Sequence, residues 1–370
     1  MNKKIIISLI PMIISLVGCQ NQKENKTYFG SWNECSSLTA LKEYINDVTD
    51  KKSPNYIPIE DRIATFDMDG TFIGELYPTY FEYNMLEYRV LEDEDYKSIA
   101  PADVVETAND IRNFVTLGTP LPNYDESHGF DMKHAYAAAK AYSGMSIAEF
   151  DQYVKNYAKN PANGFINMTY AESFYKPMLE VFDYLAANDF TYYVVSGSDR
   201  FICRSLVESL GIAPNRVIGM DVELKMSEQG SADGVNYTCG VDETLIRTDN
   251  LLIKNLKTNK VKQIAQEIGK VPVLSFGNSG GDAAMHNYAL SNPSYKSAAF
   301  MLVADDDTRD HARKNVLDEG TLRLENDEEF QARINKLNND WEKANYHVIS
   351  MKNDFKTIYG NNVQITDFSF

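Results

Sequence analysis

Basic residues are few in this chain: 36 Lys and Arg stand against 53 Asp and Glu in 370 residues, a formal charge of −17 at pH 7. No basic field is available to neutralise nucleic-acid phosphates, which excludes nucleic acid as a partner. Any phosphate-bearing ligand must be attracted locally, by a metal ion or a few placed cations. Cysteine is also sparse. Cys19, Cys35, Cys203 and Cys239 match no zinc spacing. The three beyond Cys19 allow one disulfide or none. A membrane-spanning run is missing too, because the apolar stretch Ile5 to Val17 is shorter than the roughly 20 residues a spanning helix needs.

That stretch has another use. Lys3 and Lys4 precede it and Leu16-Val17-Gly18-Cys19 closes it, the layout of a secretory leader. The ending resembles a bacterial lipobox, which implies a signal peptide over residues 1–19. Cys19 would then be the lipidated mature N-terminus of an exported lipoprotein, held on a membrane of the bacterial cell envelope. Gln20 to Lys26 reads as a polar tether. A helix is expected from Ser36 to Asp50, with Leu38, Leu41, Tyr44, Ile45 and Val48 on one face and Ser36 or Ser37 as its cap. Residues 20–60 are thus tether and N-terminal helix. The hydrophobic fraction of 44% suffices for a packed core, and the length suggests two domains.

The chain is organised around Ile63-Ala64-Thr65-Phe66-Asp67-Met68-Asp69-Gly70-Thr71. An apolar, β-branched run reads as a buried parallel strand and ends in two carboxylates one residue apart. Side chains at i and i+2 of an extended chain share a side, so Asp67 and Asp69 are expected to face one pocket. Gly70 permits a sharp turn beyond them. Two such acids need a cation between them or a shared proton. Asp67 could then attack an electrophile while Asp69 serves as general acid and base. A calcium loop of EF-hand type is excluded, because loop positions six and twelve hold Phe72 and Pro78.

From about Ile73 to Tyr175 helical periodicity dominates, and Tyr77, Tyr80, Phe81, Tyr83 and Tyr88 crowd its start. This reads as a helical insertion above the pocket. The tyrosines are read as packing residues, with an aromatic cage for a quaternary ammonium as the sharper alternative. After Pro177, which suits the first turn of a helix, helix and strand alternate. The strand Phe190 to Val195 runs into Ser196-Gly197-Ser198-Asp199 and a helix, an arrangement able to present a hydroxyl and N–H groups to an anion. Val217 to Val222 is a further strand, and Ser227 to Thr248 a hairpin excursion. Asn259 is expected to cap a helix with Lys260 in its first turn; Lys254, Lys257 and Lys262 are nearby rivals for a placed cation.

The strand Val271 to Phe276 enters Gly277-Asn278-Ser279-Gly280-Gly281-Asp282. Those five residues from Gly277 satisfy G-x-S-x-G, the nucleophile elbow of serine hydrolases, with Asp305 or Asp306 and His311 or His347 as triad partners. The competing reading gives Asn278 and Asp282 to a metal as oxygen ligands. It is preferred because it also employs Asp67, Asp69, Ser196 and Lys260. Downstream, Ala298 to Val303 is a strand, Asp305-Asp306-Asp307-Thr308 is expected to open a helix, Glu325 to Lys343 is a charged helix, and Val348 to Met351 is an edge strand.

Four stations occur in order: Asp67-Met68-Asp69-Gly70-Thr71, Val195-Ser196-Gly197-Ser198, Lys260, and Gly277-Asn278-Ser279-Gly280-Gly281-Asp282. Together they resemble the four motifs of the haloacid dehalogenase (HAD) superfamily, on its phosphoserine-phosphatase-like side. Trp32-Asn33 and Ser350-Met351-Lys352-Asn353-Asp354 are similar to flanks of bacterial HAD-type hydrolases. The resemblance implies an α/β fold, a doubly wound, Rossmann-like parallel sheet formed by residues 61–75 plus 176–370, with an inserted, mostly helical cap at 76–175. It implies a Mg²⁺-dependent phosphatase acting on a small phosphorylated metabolite, with Asp67 as nucleophile, Asp69 as general acid/base and Lys260 as the screening cation. Thr71, Ser196, Gly197 and Lys260 would hold the phosphoryl group. Asp67, Asp69 (through its carbonyl), Asn278 and Asp282 would hold Mg²⁺. An acid at position 69 points away from dehalogenases and P-type pumps. Asn278 departs from the Gly-Asp that often opens the last motif and removes one negative charge, which raises a phosphoester-binding protein without turnover as the alternative.

Overall fold

The computed structural model describes residues 28–74, 77–313 and 325–366. The leader and Cys19 therefore lie outside the described residues. Among the described residues, no helix is long and apolar enough to cross a membrane.

Among the described residues nine strands form: β1 (Ile63–Phe66), β2 (Phe165–Ile166), β3 (Thr191–Asp199), β4 (Val217–Met226), β5 (Leu245–Ile253), β6 (Leu274–Gly277), β7 (Ala298–Val303), β8 (His347–Ser350) and β9 (Gln364–Ile365). Seven make one sheet in the order β5-β4-β3-β1-β6-β7-β8, while β2 pairs with β9. All neighbours in the large sheet run parallel except β5, which returns antiparallel on β4. β1 sits at the centre and the strand order reverses beside it, which opens a crevice at the carboxyl ends of the strands.

Alternate residues of one strand enter different cores. Phe300 and Leu302 join the large cluster, whereas Ala299 and Met301 join another with Tyr346. Val194 and its neighbour Val195 divide in the same way. Both faces of the sheet are thus covered, as a doubly wound arrangement requires. On one face the register places Phe66 beside Phe276 and Phe276 beside Phe300. Their rings stack at centroid separations of 4.3 and 5.0 Å. This ladder pins the central strands, and hence the residues at their ends.

Helix Ser36–Thr49 buries the five apolar residues that its periodicity indicated. Its cap differs: Cys35 occupies the N-cap without a side-chain bond to the helix N–H groups, and Ser37 instead donates to Asp354 at 2.6 Å. The two flanks meet, because Asn33 N–H donates to the Asp354 carbonyl and Trp32 bridges Phe355. Cys35, Cys203 and Cys239 are free.

Between β1 and β3 lie helices Phe81–Leu91, Ala102–Leu117, Phe130–Ala141, Ile147–Tyr157 and Lys176–Ala187, the first four before β2. The short strand β2 also falls there, too brief to show in a periodicity. Other boundaries move. β3 continues to Asp199 through an irregular register after Val195, so the Ser196-Gly197-Ser198 turn is strand. The antiparallel return extends through β5 to Ile253. The triple-Asp segment opens no helix: Asp306 caps a turn by accepting from the N–H groups of Thr308 and Arg309, and Asp305 accepts from Ser350 and Lys352. Helix Thr258–Glu267 starts one residue before Asn259, whose side chain donates to the Lys254 carbonyl.

Candidate active site

The end of β1 is where the acids come together. Asp67 N–H continues the sheet by donating to the Phe276 carbonyl at 2.9 Å, and the chain then folds back tightly. The N–H groups of Thr71, Phe72 and Ile73 all point to the Met68 carbonyl, with Gly70 at φ +75° where a side chain would be strained. A tight turn, rather than continued strand, brings Asp69 beside Asp67. The turn also returns the Thr71 hydroxyl to 3.3 Å from Asp67 Oδ2 and 3.3 Å from Asn278 Oδ1.

Lys260 comes from the first turn of its helix, as expected, and is almost wholly buried. Its ammonium donates to Asp67 Oδ1 at 2.5 Å and to Asp282 Oδ1 at 2.7 Å. Among the four candidate lysines this is the one at the acids. Asp282 Oδ2 is held by the N–H groups of Asn278 and Ser279 at 3.0 and 3.1 Å. Gly277 makes that approach feasible, since a Cβ there would lie 2.6 Å from Asp282 Cβ.

Burial pushes the Asp67 carboxyl up to about 7, assisted by the charge of Asp282 and opposed by Lys260. Burial acts in the same sense on Asp282, but there Lys260 outweighs it and the net shift is downward. The lysine is itself shifted upward: burial disfavours its charge, and the two carboxylates more than offset that. Asp69 sits opposite. Its Oδ2 accepts from Ser198 at 2.6 Å and from Ser196 at 3.3 Å, while its Oδ1 is buried without a partner.

These groups line a cleft of about 540 Å³. Asp67, Asp69, Gly197, Lys260, Asn278 and Asp282 are on its wall. Thr71 and Ser196 are fully buried behind it, and Ser198 takes the wall position next to Gly197. A Cβ at Gly197 would fall 2.5 Å from a methyl of Leu256, which would have to turn aside. The strand-to-turn pattern contained Ser198 but gave no reason to choose it over Ser196, because the choice depends on the irregular register.

Residues from distant segments complete the wall and left no local motif: Tyr80, Glu82, Tyr83, Asp131 and Lys254. Glu82 accepts from Lys254 at 3.1 Å and from Asp199 N–H at 3.2 Å. Burial raises its carboxyl, yet Lys254 holds it below the usual range. Of the crowded aromatic residues, Tyr80 and Tyr83 reach the cleft. Tyr77 stacks on His311 at 3.7 Å instead.

The serine-hydrolase triad is not assembled. The Ser279 hydroxyl faces Asp282 Oδ2 at 3.4 Å. His311 bonds the Gly164 carbonyl, His347 stacks on Phe300, and Asp305 and Asp306 hold the loops described above. G-x-S-x-G arises here from a turn built for Asp282.

For a metal, Asp67, Asn278, Asp282 and the Asp69 carbonyl offer only oxygen donors. That suits a hard dication such as Mg²⁺. Asp67 and Asn278 meet at the Thr71 hydroxyl, so the donor set fits such an ion in its chemistry. Among the described residues, no group of three or more His, Cys, Asp or Glu is disposed to hold an ion. An amide and a main-chain carbonyl would have to complete the shell.

No protein-family model matches the chain. No curated protein matches it either. Among solved structures, a functionally unknown protein from Anaerococcus prevotii DSM 20548 is similar at 15% identity and a TM-score of 0.51, over 88% of this chain and 94% of that one. A cytosolic 5′-nucleotidase IIIB bound to cytidine aligns at 12% identity and a TM-score of 0.42, over 84% and 95%. A phosphoserine phosphohydrolase-like protein from Francisella tularensis subsp. tularensis SCHU S4 aligns at 11% and 0.34, over 65% and 87%. The Anaerococcus likeness is one of fold, and the two lower scores bear no weight for the chemistry of this chain.

Proposed function

We propose that this chain is a phosphohydrolase that cleaves small phosphate monoesters through an aspartyl-phosphate on Asp67. The observation that supports this most is the Lys260 clamp: one buried ammonium on Asp67 Oδ1 and Asp282 Oδ1, with Asp69 across the same cleft. Lys260 engages Oδ1, so Asp67 Oδ2 carries only the long Thr71 contact and is the attacking atom. As the Oδ2–P bond forms, the ester P–O bond breaks. The departing oxygen takes its proton from Asp69. Ser196 and Ser198 fix one oxygen of Asp69 and leave Oδ1 to carry that proton.

In the second half Asp69, now ionised, takes a proton from water as the water oxygen attacks phosphorus. The P–Oδ2 bond breaks, inorganic phosphate leaves, and Asp67 returns as a carboxylate. Charge spreads over the phosphoryl oxygens in both transition states, and Lys260 together with the Gly197-Ser198 wall would meet it. When bound by Asp67, the Asp69 carbonyl, Asn278 and Asp282, Mg²⁺ would supply the remaining positive charge. Export and anchorage through lipid on Cys19 are part of the proposal and rest on the leader sequence.

The test is phosphate release over a panel of phosphomonoesters, with Mg²⁺ or EDTA, for the natural chain and Asp67→Asn. Loss with either change is expected; undiminished release refutes the mechanism. Phosphoester binding without turnover would point to the consequence of Asn278. EDTA-insensitive activity lost in Ser279→Ala would restore the esterase reading.

A further inference from the structure

The wall of the cleft is acidic. Its lining carries five carboxylates against two lysines. Both lysines are engaged, Lys260 by Asp67 and Asp282, and Lys254 by Glu82. Asp69 is met by two serine hydroxyls. Asp131 differs, for it has no hydrogen bond or ion pair with any described residue, though it is one of the residues that line the cleft. It sits in the first turn of helix Phe130–Ala141, where an acid complements the helix dipole. That accounts for an acid at the helix start but not for one on a cleft wall beside two tyrosines.

Tyr80 and Tyr83 border the same space, with ring centroids 5.2 Å apart and planes at 67°. Tyr83 is braced from behind by Phe130 and His134. Two tyrosine rings in edge-to-face contact next to a carboxylate form a receptor for an organic cation, because a ring's negative face and the full charge of the acid both attract it. We infer, on the phosphohydrolase reading above, that Asp131, Tyr80 and Tyr83 receive an ammonium group on the leaving alcohol, so that the substrates are phosphate esters of amino alcohols.

The wall also selects against a second anion. Lys254 is the second lysine of the wall, and Glu82 accepts from it at 3.1 Å while itself fixed by Asp199 N–H. A substrate carboxylate would have to compete for that buried pair, leaving Glu82 without its cation and with only the Asp199 N–H as a donor. Phosphoamino acids and bisphosphates are therefore disfavoured, and the amino alcohol esters preferred.

The experiment compares kcat/KM of the full chain for phosphoethanolamine, phosphocholine, glycerol 3-phosphate, O-phosphoserine and p-nitrophenyl phosphate. An ammonium ester is expected to exceed glycerol 3-phosphate by about tenfold or more, the size of a desolvated cation–π and ion contact. Asp131→Asn should bring that ratio to about one, chiefly through KM, and Asp131→Lys should invert it. Free choline or ethanolamine should compete with p-nitrophenyl phosphate in the natural chain, a readout that needs no variant. A natural-chain ratio near one, a preference for phosphoserine, or a ratio unmoved by Asp131→Asn in folded protein overturns the inference alone. Release of phosphate from none of the five esters overturns the phosphohydrolase reading and this inference with it.

Discussion

Replacing Lys260 with Met removes one charge and keeps the apolar stem, and the structure indicates the consequence. The ammonium bonds two carboxylates at 2.5 and 2.7 Å, and the three side chains are only 1%, 9% and 2% exposed for Lys260, Asp67 and Asp282. Without it, two buried acids face each other with no cation between them. Removing one partner from a buried ionic group costs about 3–5 kcal/mol, which is the expected loss at pH 8 in EDTA. The acids can relieve the strain by taking up a proton. In the variant their folded-state pKa values lie above the unfolded value of about 3.9. The folded state then binds more protons than the unfolded one between that value and the raised ones, so stability falls as pH rises. The natural chain shares this trend at Asp67, pushed up to about 7 by burial, but not at Asp282, whose lowered pKa contributes stability above pH 4 that is lost on acidification. The gap between the two proteins should therefore shrink to less than about half by pH 5. Urea unfolding at the two pH values measures it. A deficit that is equal at pH 5 and pH 8, or below about 1 kcal/mol at both, would refute the claim that Lys260 acts by charge.

Asp310 offers a test away from the cleft. Burial pushes its carboxyl up to about 7, although His311 N–H and the Tyr359 hydroxyl donate to it. An acid with a raised folded pKa costs nothing below pH 4 and progressively more up to pH 7. Asp310→Asn, which keeps the acceptor oxygen, should therefore stabilise the chain by up to about 4 kcal/mol above pH 7, with no gain near pH 4, by urea unfolding across pH. Gly277→Ala should cost about 1–3 kcal/mol, because its Cβ would overlap Asp282, and should lower phosphate release further than that loss explains. Asp69→Asn should slow release with alcohol leaving groups more than with p-nitrophenolate, whose departure needs less proton donation; equal slowing would argue against the general-acid role.

The chain's own order of residues settled a good deal. β1, the helix Ser36–Thr49 and the later alternation of helix and strand follow from apolar period and length, signals carried within a dozen residues. The acids at 67, 69 and 282 and the lysine at 260 were legible for the same reason: a polar cluster at the end of an apolar run has few structural uses. What tertiary structure alone decided lies between segments. Ser198, not Ser196, reaches the wall because the strand after Val195 slips in register, an effect set by pairing with β4. Glu82 and Asp131 stand in unremarkable stretches and become wall residues because helices Phe81–Leu91 and Phe130–Ala141 border the cleft, and Lys254 does so from the end of β5. Ser279 shows the converse, a motif that reads as a nucleophile in sequence and serves as a turn donor in space. Periodicity reports burial along one element, whereas a site depends on which elements the sheet order brings side by side, and that is a property of the whole chain.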